Sequence, residues 1–164
     1  MQRSVRDLLQ ECGDPASVAL IGLGNSDRAD DGIGIGVAEA LCDQFPQNVF
    51  SENRRTLEGI VFDLVEREEI RIILFLDATH FSGEPGSIQL FNNDDAQSFT
   101  SSFTTHKVPI TLLMDVIQQK GKESYLIGIQ PGTLHMLAPM SNAVQETFTG
   151  LTALFESFYA KKGD

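Results

Sequence analysis

The chain has 164 residues, 41% of them apolar, and a formal net charge of −11. This length suits a single domain, 1–164, with a core of its own, and the apolar share argues against disorder. So acidic a chain repels phosphate backbones, which makes nucleic acid a poor partner. No apolar run approaches a membrane span and no apolar stretch follows the N-terminal charges, so neither membrane insertion nor a signal peptide is expected. Cys12 and Cys42 lie far apart without a C-x-x-C pair. That excludes a disulfide framework or a thiolate zinc site and suits a reducing, cytoplasmic setting.

In chain order, residues 3–12 read as a short amphipathic helix ended by Gly13. Ser17 to Leu23 is a short apolar run between Pro15 and Gly24, the pattern of a buried strand. From Gly32 the period changes: Ile33, Val37 and Leu41 recur at helical spacing, with Ala38 and Phe45 beside them. Gln47 to Ser51 reads as a second strand. Leu57, Ile60, Val61, Leu64 and Val65 mark a helix over 57–68, and Ile70 to Leu76 is the strongest strand pattern in the chain. Glu84-Pro85-Gly86 is a turn leading to a strand over Ser87 to Phe91. Residues 92–105, rich in Asn, Asp, Ser and Thr, read mostly as loop. Pro109 suits the first turn of a helix whose apolar face is Leu112, Leu113, Val116 and Ile117. Ser124 to Gln130 is a further strand, stopped by Pro131-Gly132, and the last helix starts at Ser141.

Alternation of strands and helices, with strands apolar on both faces, predicts an α/β three-layer sandwich. Its sheet is mainly parallel and twisted, of about five strands, with helices on both sides. In such sheets ligands bind beyond the carboxyl ends of the strands. Three of these ends carry polar chemistry: Gly22-Leu23-Gly24-Asn25 leading to Asp30-Asp31, then Asp77, then Gln130-Pro131-Gly132. The Gly22-x-Gly24 pair suggests a dinucleotide fingerprint, but the third glycine position is Asp27, and Asp30 and Asp31 stand where a pyrophosphate would sit. Helix capping accounts for one of Asp30 and Asp31 and does not require both. Asp77 has the bland reading of a turn at a strand end. The histidines His80, His106 and His135 all fall in loops, and periodicity does not choose among them. Two carboxylates and an imidazole form an O/O/N set suited to nickel, zinc or iron, with coordination positions left open.

Taken together, GLGNSDRADDGIG (Gly22 to Gly34), FLDAT (Phe75 to Thr79), PGSI (Pro85 to Ile88), TTHKVP (Thr104 to Pro109) and LIGIQP (Leu126 to Pro131) resemble the hydrogenase maturation endopeptidases. The likeness is greatest to those serving formate-hydrogenlyase-type hydrogenases. It implies an aspartic-type peptidase that removes the C-terminal extension of a [NiFe] hydrogenase large-subunit precursor after nickel insertion. It also implies that Asp31, Asp77 and His106 are the catalytic and metal-contacting residues, and the choice of His106 over His80 rests on the resemblance alone. Nickel is then presented by the substrate, other divalent metals can substitute, and the protein is expected to act as a monomer. Asp30 matches the acidic neighbour before the first ligand. One departure is visible: the family's DGG segment is replaced by Ser51-Glu52-Asn53-Arg54-Arg55. Glu52 can stand for the acidic residue, and Arg54 and Arg55 are expected to line the cleft. Two alternatives remain: a non-catalytic metal-binding maturation chaperone of the same fold, and a peptidyl-tRNA-hydrolase-like enzyme. The second lacks its Pro-Gly and Arg-His-Asn motifs and conflicts with the charge.

Overall fold

The computed structural model describes residues 2–98 and 109–161. Its elements are α1 (Val5–Cys12), β1 (Val18–Gly22), α2 (Ile33–Leu41), β2 (Val49–Ser51), α3 (Leu57–Val65), β3 (Ile72–Ala78), β4 (Ile88–Phe91), α4 (Asn93–Gln97), α5 (Ile110–Gln119), β5 (Glu123–Ile129) and α6 (Asn142–Ala160). The strands form one sheet in the order β2-β1-β3-β5-β4. All pairings are parallel except that of β4 with β5.

Every residue of β1 and β3 is buried, as expected when helices cover both faces of a parallel sheet. Side chains alternate between the faces. Leu20, Leu74, Leu76 and Ile127 pack with Leu8, Val37, Leu41 and Phe155 of α1, α2 and α6. Ile21, Phe75 and Leu126 pack with Ile60, Leu64, Leu113 and Ile117 of α3 and α5. The three-layer α/β sandwich expected from the sequence is the fold observed. Among the described residues, no helix is long and apolar enough to cross a membrane.

Several boundaries differ from the sequence reading, each for a local reason. β3 begins two residues later than expected and runs to Ala78, so Asp77 lies inside the strand, in register with Gly128 of β5. Residues 93–97, expected as loop, form α4. Its apolar content is low, and it is started by a capping box in which Asn92 and Asp95 exchange side-chain and backbone hydrogen bonds. Pro109 is the N-cap of α5 rather than part of its first turn. Leu112 is 54% exposed, and the buried face is Ile110, Leu113, Met114 and Ile117. A 3-10 turn, Ala29–Gly32, precedes α2.

The sheet also shows where a crevice belongs. β1 leads to α2 on one face, whereas its neighbour β3 leads on towards β4, α4 and α5 on the other. Open α/β sheets bind ligands where adjacent connections diverge in this way.

Candidate active site at the carboxyl ends of the sheet

The β1–α2 connection depends on close approach of backbone to backbone. A Cβ at Gly34 would lie 2.1 Å from the Leu76 carbonyl and 2.3 Å from that of Leu23, so only glycine lets α2 sit this low on β1 and β3. Gly24 has φ +127°, and a Cβ there would meet the Asp31 carbonyl at 1.9 Å and Asp77 Oδ1 at 3.3 Å. The motif read as a failed dinucleotide fingerprint therefore brings the Asp31 backbone and the Asp77 carboxylate together in the space that a side chain at Gly24 would fill.

Glu52 completes this cluster from the end of β2. Its N–H donates to the Gly22 carbonyl at 3.2 Å, and its Oε1 accepts the Gly24 N–H at 2.7 Å. Asp77 is buried, Asp31 and Glu52 partly so. Burial first, and then the negative charges of Asp31 and Glu52, hold the Asp77 carboxyl well above the usual carboxylate range. The Ala78 N–H opposes this shift. Among the described residues, no three His, Cys, Asp or Glu side chains are grouped so as to hold a metal ion. Asp31, Glu52 and Asp77 form an acidic rim. His106 lies outside the described residues.

Asp30 has a different task from its neighbour. It is buried, and its carboxylate does not cap α2, whose N-cap is Gly32. Instead Oδ2 accepts the N–H groups of Gly132 and Thr133 at 2.7 and 2.9 Å and the Ser141 hydroxyl at 2.8 Å. Oδ1 accepts the Ser141 N–H at 2.7 Å. Burial alone would raise this carboxyl, and the hydrogen bonds from Ser141, Thr133 and Gly132 outweigh it, so the group sits below its ordinary value. One carboxylate thereby pins both ends of the 132–141 segment against the turn that carries Asp31. The sequence reading singled out Asp30 without finding this role, because the partners lie more than 100 positions away.

Gln130 has a similar role on the β3 side. It is buried, and its Oε1 accepts the N–H groups of Phe81 and Gly83 at 2.9 and 3.2 Å. Those donors fix the amide orientation, so Nε2 faces His80 Nδ1 at 3.2 Å as a donor. His80 Nδ1 must then accept, which leaves the proton on its Nε2, the nitrogen a metal would need. This bond argues against His80 as a ligand. His135 is exposed on the 132–141 segment. Arg54 and Arg55 do not line the crevice: Arg54 pairs with Glu39 and Asp43, and Arg55 with Asp63, on the outer surface.

Among the described residues, three non-glycine residues have left-handed backbone: Ala29, Ser82 and Leu137, at φ 50°, 61° and 60°. They fall one each in the loops after β1, β3 and β5. Such conformations cost on the order of 1–3 kcal/mol and gather at functional sites. Strained loops, an acidic rim and a divergent strand pair mark the carboxyl edge of the sheet as the candidate site of this α/β protein.

Comparison with known proteins makes this class specific. The family model for hydrogenase maturation protease, HycI, matches residues 59–156. The hydrogenase 3 maturation protease of Escherichia coli K12 is 30% identical over 130 residues, covering 77% of this chain and 81% of the relative. The solution structure of an endopeptidase HycI from Escherichia coli superposes with TM-score 0.71 at 26% identity, covering 88% of this chain and 92% of that one. A [NiFe] hydrogenase maturation protease HycI from Thermococcus kodakarensis shares the fold, with TM-score 0.76 at 24% identity over 94% of this chain and 99% of that one. The chain belongs to the hydrogenase maturation protease family, of the formate-hydrogenlyase type that its motifs resemble. This membership displaces the peptidyl-tRNA-hydrolase alternative.

Proposed function

We propose that the protein is a cytoplasmic aspartic-type endopeptidase acting on a [NiFe] hydrogenase large-subunit precursor. It removes the C-terminal extension after nickel insertion, and Asp31, Asp77 and His106 contact the nickel that the precursor presents. The observation that carries this reading is the burial of Asp77 beside Asp31 and Glu52. Three carboxylates crowded at one partly dry rim repel one another, and a divalent cation relieves that repulsion. Two carboxylates with an imidazole suit nickel, and a three-ligand set leaves room for the groups that already hold the metal on the precursor. Nickel is thus part of the substrate. A rim carboxylate accepts a proton as water bonds to the scissile carbonyl carbon, and returns it to the nitrogen as the C–N bond breaks, so the extension leaves as an amine.

The test is mass spectrometry of precursor before and after incubation with the protein. Nickel-loaded precursor should be shortened and metal-free precursor left intact, and Asp31→Asn and His106→Ala should each abolish the cut. Equal cleavage of the metal-free form would sink the nickel reading. Binding without shortening would indicate a non-catalytic chaperone of the same fold.

A further inference from the structure

We propose that Met136 and Leu137, at the tip of the 132–141 segment, form a docking lip for an apolar stretch of the precursor next to the cut. The proposal rests on the protease reading and names a substrate contact of that same site.

Three observations carry it. First, Leu137 is 83% exposed and Met136 64%. Leu137 is the most exposed of the large hydrophobic side chains among the described residues, and the two are adjacent. Second, the backbone holds them outward. Leu137 is left-handed at φ 60°, a conformation that leucine rarely adopts and that a free loop would relax. Third, the tip is tied to the acidic rim. The Leu137 N–H donates to the Asp27 carbonyl at 2.6 Å, on the loop that carries Asp31. The base is pinned by the four hydrogen bonds to Asp30. Anchored at base and tip, the segment holds two apolar side chains in water beside the site, with no contribution to the core.

The occupant follows from the division of chemistry. Asp31, Glu52 and Asp77 suit a cation and repel acidic chain. A leucine and a flexible, polarisable methionine suit an aliphatic or aromatic segment. Since Leu137 is bonded to the loop that bears Asp31, such a segment belongs to the polypeptide already held by its metal.

The test compares wild type with the full-length double variant Met136→Ser/Leu137→Asn on nickel-loaded precursor, by biolayer interferometry and by cleavage kinetics. Asparagine tolerates left-handed backbone, so the segment keeps its shape. Kd and KM should rise roughly tenfold, the scale of a lost apolar anchor, with kcat within about twofold and the melting temperature unchanged. Unchanged Kd and KM would overturn the lip while leaving the protease reading intact. If wild type binds without cutting, and binding weakens in the variant, the lip stands and the protease reading falls. If wild type neither binds nor cuts, both fall. A wild-type dimer that the variant breaks, with precursor affinity unchanged, assigns the tip to a second copy and overturns the proposal.

Discussion

At the scale of single residues, Asp30 and Asp31 show how adjacent carboxylates take opposite tasks. Asp30 is spent on internal hydrogen bonds from Gly132, Thr133 and Ser141, whereas Asp31 faces Asp77 electrostatically. Asp30→Ala strands four donors in a buried place and should cost about 3 kcal/mol in urea denaturation at neutral pH. Asp30→Asn should cost less, about 1–2 kcal/mol, because its one carbonyl oxygen still serves the three donors at the Oδ2 position. The sign with pH follows from the lowered folded-state value of this carboxyl. The stabilisation is fully present above the ordinary carboxylate range and is lost as pH falls through the lower folded value. The gap between wild type and Asp30→Asn should therefore narrow on acidification, and a gap that widens would contradict the assignment. Of these residues, Asp31 and Asp77 are legible from sequence as carboxylates towards the carboxyl edge of the sheet, although Asp77 lies within β3 and Asp31 in the turn before α2. The clamp formed by Asp30 is not, because hydrogen bonds across 102 to 111 positions leave no periodic trace.

At the scale of elements, buried strands and amphipathic helices were legible, since burial on two faces or one stripe imposes a period. What escaped was set by polar capping or by registry. α4 is held by a capping box on a polar segment, and the end of β3 is set by its pairing with β5, which carries it through Asp77 to Ala78. The α2–sheet contact has a sequence signature, the glycines at 22, 24 and 34, whose meaning only packing reveals. Gly34→Ala places a methyl against the carbonyls of Leu76 and Leu23. Both obstacles are backbone, so α2 must lift from the sheet, at a cost of about 3 kcal/mol. Because Asp31 lies three positions before Gly34, the lift also displaces it from Asp77. Precursor cleavage should fall by more than the loss of folded protein measured by circular dichroism. A variant whose activity tracks its folded fraction would show that the displacement does not reach the rim.

At the scale of the whole molecule, the site should weaken the fold that carries it. Asp77 is buried in the same crevice as two further carboxylates, so its ionised form is opposed by desolvation and by like charge. Asp77→Asn keeps the shape and the acceptor for the Ala78 N–H, cannot ionise, and supplies an amide donor to face Asp31 and Glu52. Without metal, the variant should be more stable than wild type by about 1 kcal/mol, a gain typical of relieving a functional site. For a domain of this size that amounts to roughly 2–4 °C in melting temperature. Nickel should reverse the order. A cation bound only by the folded state stabilises it by about 2.7 kcal/mol at a concentration 100 times Kd, and Asp77→Asn, having lost a ligand, should not respond. Calorimetry of both proteins with and without nickel chloride separates the terms. A variant less stable than wild type without metal would mean that the Asp77 charge supports the fold, and the crowding that motivates the metal reading would be absent. A variant that gains as much from nickel as wild type would place the cation elsewhere. The crossing of the two stabilities is expected only if the acidic rim is held under electrostatic strain until a cation arrives.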